Sequence, residues 1–227
     1  MAANASQPER IEILTADGVT LVGDWYDGPH GGPTALLLHM MPADRASWRG
    51  FASYLLANGW SALAVDLRGH GESVSSSGGP LDYRAFTDED HQASIGDVEA
   101  AVRWLEARGR SKTRIALVGA SIGANLAIAY AAEHVAVPAV AALSPGLDYR
   151  GITTDDKVVR FRVGQGLFLA ASAADERSAV CIRALHERKP DAVAYEFPDA
   201  GHGTAMLEQA PGLMDGLASW LRDAVAE

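Results

Sequence analysis

Cysteine, basic charge and long apolar runs are all scarce in this chain of 227 residues. The lone cysteine, Cys181, excludes a disulfide within the chain and is typical of a reducing compartment. No apolar run approaches the roughly 20 residues that span a bilayer. The polar stretch Met1–Arg10 lacks the apolar core of a secretory signal. These shortages predict a cytoplasmic protein that spans no membrane.

The charge balance disfavours two classes of partner. The 19 Lys and Arg residues against 29 Asp and Glu residues give a net charge of −10, which is repelled by nucleic acid and by anionic lipid surfaces. The remaining composition, 48% hydrophobic and 21% charged, is that of a globular protein. We therefore expect a small molecule as the partner, and the sequence leaves open whether the protein is a monomer or a homodimer.

Segments with strand and helix patterns alternate along the chain. Residues Arg10–Thr15 and Val19–Tyr26 alternate polar and apolar side chains around a turn, which predicts an N-terminal antiparallel hairpin. Continuous apolar runs such as Ala35–Leu38 then alternate with helical patterns, which favours a mostly parallel sheet with helices on both faces. We predict a single α/β domain over residues 1–227, with about eight strands and a flexible N-terminus at residues 1–9.

A serine between two glycines lies at the junction of a predicted strand and a predicted helix. The strand pattern is Arg114–Val118, the helix pattern is Ala124–Glu133, and Gly119-Ala120-Ser121-Ile122-Gly123 lies between them. This G-x-S-x-G spacing is typical of a nucleophile elbow, a tight turn that exposes the serine hydroxyl. We predict that Ser121 is a nucleophile above a helix N-terminus that favours negative charge.

A serine hydroxyl is a weak nucleophile and requires a general base. Among the seven histidines, His202 follows the last predicted strand in a glycine-flanked loop. It also completes the chain order of nucleophile, acid and histidine that such sites show. We predict that His202 is the base, that His91 faces solvent, and that Thr204–Ala226 is mostly a final helix.

The base in turn needs a carboxylate that orients its imidazole. Asp175 follows the predicted strand Leu167–Ala171 and lies between the serine and the histidine in the chain, so it is the first candidate. Asp148 follows the preceding strand by a similar margin and stays a rival. Two further carboxylates are weaker alternatives: Glu176 and Asp199.

The attacked carbonyl would develop an oxyanion that needs two preorganised donors. We predict that one is the backbone N–H of Ile122, at the start of the elbow helix. The other is expected from the loop after the strand Ala35–Leu38, at the N–H of Met41.

Three blocks of sequence resemble those of the α/β-hydrolase family. They are His39-Met40-Met41-Pro42 with Trp48, Asp66-Leu67-Arg68-Gly69-His70-Gly71-Glu72-Ser73, and Gly119–Gly123. These blocks are similar to the family's H-G-x-P…W oxyanion loop, its D-x-R-G-x-G-x-S turn and its elbow, with Met40 in place of the usual glycine. The resemblance implies the α/β-hydrolase fold and the same roles for Ser121, Asp175, His202, Met41 and Ile122. It also implies supporting roles for His39, Arg68 and His70, and no metal or organic cofactor.

Many members of this family carry a helical cap where this chain has only the short segment Pro145–Gln165. We therefore expect no large cap domain and a shallow site, covered by the loops Ser75–Asp88 and Tyr149–Phe161. The candidate residues for contact with a substrate are Met40, Met41, Tyr83 and Phe86.

The leading hypothesis is a serine esterase that cleaves carboxylic esters of small or exposed acyl groups through an acyl-enzyme. Such a protein resembles compact esterases and dienelactone-hydrolase-like proteins, although the latter usually have cysteine where this chain has Ser121. The same three side chains would also serve a thioesterase or an amide or peptide hydrolase. A hypothesis of another class is a catalytically silent hydrolase fold that binds a ligand.

Overall fold

The computed structural model describes residues 7–226. Residues 1–6 of the predicted flexible segment lie outside the described residues, and Glu9 already belongs to the first strand. The strands are β1 (Glu9–Leu14), β2 (Val19–Tyr26), β3 (Thr34–Leu38), β4 (Ser61–Val65), β5 (Ser75–Ser76), β6 (Gly79–Pro80), β7 (Ile115–Ala120), β8 (Ala139–Leu143), β9 (Asp148–Tyr149), β10 (Ile152–Thr153), β11 (Gly166–Ser172) and β12 (Val193–Phe197). The helices are α1 (Arg49–Ala57), α2 (Asp88–Gln92), α3 (Ile95–Ala107), α4 (Ile122–Glu133), α5 (Asp155–Val158), α6 (Glu176–Arg188), α7 (Met206–Gln209) and α8 (Leu213–Ala226).

Ten of these strands form one sheet in the order β12-β11-β8-β7-β3-β4-β2-β5-β6, with β1 paired to β2. All pairs from β12 to β4 are parallel, whereas β2 runs antiparallel to β1, β4 and β5. Eight of the ten strands are five residues or longer. The predicted α/β-hydrolase sheet, with its antiparallel N-terminal hairpin, is therefore confirmed.

Helices cover both faces of the sheet, and the sheet separates two apolar cores. One core packs α3, α4 and α6 against one face, and the other packs α1 and α8 against the opposite face. The central strands β3, β4, β7 and β8 are buried along their whole length. This explains why they are continuous apolar runs in the sequence, since both of their faces exclude water.

The site predicted from the sequence lies where the parallel strands end. The crossovers bring the carboxyl ends of β3, β7, β8 and β11 to one edge of the sheet, and β3 and β8 flank β7 in register. Loops that leave neighbouring parallel strands at one edge are where ligands bind in such sheets. Residues 145–165 form only the hairpin β9–β10 and the single turn α5 there, in place of a cap.

Two details of the fold differ from the sequence prediction. The final helix is broken, because α7 ends at Gln209 and α8 begins at Leu213, with Pro211 and Gly212 between them. His91 does not face solvent: it is 3% exposed and its ring meets the ring of Phe86 edge-on, with 5.4 Å between the centroids. Among the described residues, the helices are all too short or too polar to cross a bilayer.

Candidate active site

The serine of the G-x-S-x-G sequence has an unusual backbone conformation. Ser121 has φ 53° and ψ −120°, a backbone conformation that residues other than glycine rarely adopt. Its N–H donates to the carbonyl of Leu143 at the end of β8, and the first turn of α4 begins on its own carbonyl. The serine is 8% exposed. Strand, turn and helix therefore meet as the sequence predicted.

The two glycines of the elbow are required by close backbone packing. A Cβ atom on Gly119 would lie 2.5 Å from the backbone nitrogen of Ala124, and one on Gly123 would lie 2.7 Å from the carbonyl oxygen of His39. Contacts this short leave no room for any side chain. Strand β7 and helix α4 can approach each other because Gly119 lacks a Cβ atom, and α4 can approach the end of β3 because Gly123 lacks one.

His202 and Asp175 lie together beyond the ends of β12 and β11. The imidazole Nδ1 is 2.6 Å from Oδ2 of the carboxylate, and both side chains are partly buried. Burial opposes ionisation of Asp175, but nearby Ser178 and the imidazole of His202 favour the carboxylate, and the pKa of Asp175 stays below its usual value. An ionised carboxylate here accepts a hydrogen bond from the Nδ1–H group and leaves Nε2 of the imidazole free.

The rival acid makes a different contact. The carboxylate of Asp148 accepts the N–H of Gly151 at 2.7 Å, within the hairpin β9–β10. It therefore closes a local turn, as aspartate commonly does. The structure brings Asp175, and not Asp148, to His202.

The histidine loop lies beside the elbow. A Cβ atom on Gly203 would overlap the sulfur of Met40 and would lie 3.4 Å from Cβ of Ala120, the neighbour of Ser121. Within residues 7–226, the Ser121 hydroxyl and His202 Nε2 are not hydrogen-bonded to each other. The structure thus brings the two loops into contact while leaving this one hydrogen bond unformed.

The loop that carries Met41 is fixed by a buried imidazole. Nδ1 of His39 donates to the carbonyl of Met40 at 2.9 Å, and Nε2 accepts the N–H of Leu67 at 2.9 Å. Burial lowers the pKa of His39 to about 4, so the ring is neutral near pH 7 and serves both contacts. In the described part of the chain, the N–H groups of Met41 and Ile122 donate to no other group. Both remain available to an acceptor from outside.

The turn formed by residues 66–73 lies against this loop and contacts it through the hydrogen bond between Leu67 and His39. The carboxylate of Asp66 accepts the N–H groups of Arg45 and Glu72 at 2.7 and 2.8 Å, and the guanidinium of Arg45 also binds it. Arg68 extends from the same turn to the buried carboxylate of Asp97. No local pattern indicates Arg45 or Asp97, because their ion pairs join residues that lie far apart in the chain.

Tyr83 and Phe86 pack against this turn. The Tyr83 ring stacks on the imidazole of His70, with 3.9 Å between centroids and 10° between planes. A Cβ atom on Gly69 would lie 2.8 Å from the ring of Phe86. These contacts give both aromatic rings a structural role, and their predicted contact with a substrate stays a prediction.

The short segment after β8 is anchored on the elbow helix. The side-chain amide of Asn125 accepts the N–H of Gly146 at 3.0 Å and donates to the carbonyl of Ile152 at 2.7 Å. Asp88, at the end of the other covering loop, pairs with the guanidinium of Arg150, and Gln92 of α2 donates to the carbonyl of Arg150. The two loops expected to cover the site are therefore joined to each other and held on the body of the protein.

No metal site competes with this arrangement in residues 7–226, since no three His, Cys, Asp or Glu side chains converge there to hold an ion. The lone thiol of Cys181 is buried in α6, and burial raises its pKa to about 12. A thiol with that pKa is inert near pH 7.

Known proteins resemble this chain in sequence over part of their length. It is 34% identical over 106 residues to monoacylglycerol lipase abhd6-B of Xenopus laevis, which covers 47% of this chain and 28% of that protein. It is 29% identical over 150 residues to a carboxymethylenebutenolidase of Pseudomonas putida, which covers 62% of each. The chain thus spans less than two thirds of the length of these curated relatives.

Solved structures resemble nearly the whole chain. An esterase of Pyrococcus furiosus superposes with a TM-score of 0.79 at 21% identity, over 97% of this chain and 92% of that one. The α/β hydrolase GrgF of a Penicillium species superposes with a TM-score of 0.80 at 15% identity, over 98% of this chain and 100% of that one. At these identities the likeness concerns the fold. The family model of the alpha/beta hydrolase fold matches residues 33–180, more than half of the sequence, and the chain therefore belongs to the α/β-hydrolase family.

Proposed function

We propose that this protein is a serine esterase that cleaves carboxylic esters of small or exposed acyl groups through an acyl-enzyme. The observation that carries the proposal is the contact of His202 with Asp175 in a loop that lies against the elbow of Ser121. The esterase, lipase and carboxymethylenebutenolidase names of the similar proteins support ester hydrolysis as the general chemistry. A buried, unpaired cysteine is compatible with the cytoplasmic location expected from the sequence.

In the proposed reaction, the Ser121 oxygen attacks the ester carbonyl carbon while its proton passes to Nε2 of His202. Asp175 holds the imidazole by Nδ1 and stabilises the imidazolium that forms. The C–O bond to the alcohol then breaks, and the alcohol leaves with the proton from Nε2. Water, deprotonated by the same imidazole, attacks the acyl-enzyme and releases the carboxylic acid and the serine.

The negative charge of both tetrahedral intermediates would be stabilised by the N–H groups of Met41 and Ile122. Each is free of other acceptors in the described residues, and Ile122 opens α4, whose N-terminus favours an anion. Loss of one such donor typically lowers the rate about 10²–10³-fold. The rigid attachment of the Met41 loop through His39 supports its role as a preorganised donor.

The short segment between β8 and β11 supports small or exposed acyl groups as the substrate class. The segment between β8 and β11 is held down on α4 by Asn125 and forms no enclosing domain. A long acyl chain needs an apolar enclosure, and so we expect the rate to be highest for acetyl and butyryl esters.

Turnover of p-nitrophenyl acetate and p-nitrophenyl butyrate by the wild-type protein and the Ser121→Ala variant tests this proposal. We expect the variant to lose at least 10³-fold in kcat while it unfolds at the same denaturant concentration. Undiminished hydrolysis by a folded Ser121→Ala variant would rule out the proposed nucleophile.

Two other functions are compatible with the same residues. A thioesterase or an amide or peptide hydrolase would share the acyl-enzyme, and kcat/KM measured side by side on ester, thioester and aminoacyl substrates distinguishes them. A catalytically silent fold that only binds a ligand would leave Ser121 unreactive. Failure of a fluorophosphonate probe to label the folded protein would favour that second reading.

A further inference from the structure

The backbone of the loop that carries His202 has little conformational preference of its own. The residues on either side of the histidine are Gly201, with φ 71°, and Gly203, with φ 58°. Glycines at positive φ have many alternative conformations of similar energy. A loop of this kind needs contacts from elsewhere if the imidazole is to stay in one position.

Two buried serine hydroxyls supply those contacts. Oγ of Ser172, the last residue of β11, accepts the N–H of Ala200 at 2.9 Å. Oγ of Ser144, the first residue after β8, accepts the N–H of Gly203 at 2.9 Å. Both serines are fully buried. The two hydrogen bonds therefore hold the loop on both sides of the histidine. One comes from β11 and the other from the end of β8, which pairs with the elbow strand β7.

Ser144 is itself held in an uncommon conformation. It has φ 51°, its N–H donates to the carbonyl of Ala170 at 2.7 Å, and its hydroxyl donates to the sulfur of Met206 at 3.3 Å. Since the hydroxyl proton is used by Met206, the oxygen lone pairs face the N–H of Gly203. A non-glycine residue keeps such a backbone only where the surroundings impose it.

We propose that Ser144 and Ser172 are positioning residues that hold His202 for reaction with Ser121, an inference that rests on the proposed function. Among the described residues neither hydroxyl is hydrogen-bonded to the imidazole, and each acts through a backbone N–H within two residues of His202. Removal of either acceptor leaves a buried N–H without a partner, which the loop can relieve only by moving. A displacement of about 1 Å at a reacting group can lower the rate on the order of 100-fold.

The test uses alanine at each serine and a matched buried serine as a control. Ser61 is also fully buried and its hydroxyl accepts the N–H of a glycine, Gly28, but it lies at the amino end of β4, far along the strand from the site. The Ser61→Ala variant reports the effect of losing a buried hydrogen bond of the same type. Ser172→Thr keeps a hydroxyl on a strand residue and serves as the conservative variant.

We expect Ser144→Ala and Ser172→Ala to lower kcat for p-nitrophenyl butyrate at least 10-fold with KM within about twofold, and fluorophosphonate labelling of Ser121 to slow in parallel. Ser172→Thr should restore most of kcat, and Ser61→Ala should lower the unfolding midpoint with kcat unchanged. Unchanged kcat in both folded alanine variants, or an equal loss in Ser61→Ala, would overturn the proposal. If Ser144→Ala does not fold, Ser144→Gly, which tolerates φ 51°, replaces it.

A readout independent of turnover separates this inference from the proposed function. The imidazole Nδ1 proton shared with Asp175 should give a downfield proton NMR signal, identified by its loss in His202→Gln. We expect that signal to broaden or vanish in Ser144→Ala and Ser172→Ala and to persist in Ser61→Ala. If the wild-type protein hydrolyses no ester but the signal depends on both serines, the function is wrong and the positioning holds. An unchanged signal in both alanine variants overturns the positioning whatever the activity.

Discussion

Gly123 lies directly on the carbonyl group of Leu38, at the end of the neighbouring strand β3. A Cβ atom on Gly123 would overlap the carbonyl oxygen and lie 2.7 Å from the carbonyl carbon. Both partners are backbone atoms of buried elements, so neither side can move away easily. The first turn of α4 is thus in close backbone contact with the end of β3, the strand that leads to the Met41 loop.

This contact predicts that Gly123→Ala is destabilising. We expect the free energy of unfolding to fall by about 2–3 kcal/mol, as for other overpacked cores, measured by urea denaturation. Gly50→Ala is the control, because Gly50 lies within α1 and a Cβ atom there meets nothing within 4 Å. Alanine is favoured over glycine in a helix by up to about 1 kcal/mol, so the control should be slightly more stable. Equal stability of the two variants would contradict the packing described here.

Because the backbone of Ser121 is strained, we expect that a substitution at this position can raise stability while it abolishes activity. Replacing Ser121 with glycine relieves the backbone strain at φ 53°, because glycine adopts positive φ freely. We expect a gain of about 1 kcal/mol in the free energy of unfolding. Ser121→Ala keeps the strain and should match the wild type in stability. Both variants should lack esterase activity. A Ser121→Gly protein less stable than Ser121→Ala would show that the conformation carries no strain.

Buried histidines predict a loss of stability in mild acid. Burial lowers the pKa of His39 to about 4, and burial together with His39 lowers the pKa of His70 to about 4. Both are neutral when folded and become charged in the unfolded chain below about pH 6.5. At these two histidines the unfolded state therefore binds more protons between pH 6.5 and pH 4, and their contribution to stability falls as the pH falls through that window. Each histidine contributes on the order of 3 kcal/mol to the loss.

Urea denaturation at pH 7, 5.5 and 4.5 measures this loss. His70→Phe keeps the stacking on Tyr83 and should reduce the loss, although its stability at pH 7 will be lower because the hydrogen bond to the carbonyl of Arg68 is gone. The exposed His30 provides the control His30→Asn, which should leave the pH dependence unchanged. A His70→Phe variant with the full wild-type slope would contradict a neutral, buried His70.

Local patterns and chain order made much of the fold and site predictable. The hairpin and the buried strands follow from alternation and from apolar runs, and the elbow from five adjacent residues. The pairing of His202 with Asp175 was expected from chain order, since both follow strands that end at one edge of the sheet. Pro211-Gly212 was a visible signal for the break in the final helix, and the prediction overlooked it.

Other features depend on contacts between distant segments and have no local signature. Ser144 and Ser172 are two serines among many until the strands bring them to the His202 loop. The pairing of Arg45 with Asp66 likewise needs the folded turn. Long-range polar contacts are therefore the part of the site that sequence alone does not supply.

In the proposed mechanism, Ser121 forms an acyl-enzyme with the help of His202. Brief mixing with p-nitrophenyl butyrate, an acid quench and mass spectrometry of the digested protein test it most directly. We expect one butyryl group on the peptide that contains Ser121 in the wild type, and none in folded His202→Gln or Ser121→Ala. Ester hydrolysis without an acyl adduct at any time, or with the adduct on another residue, would contradict it.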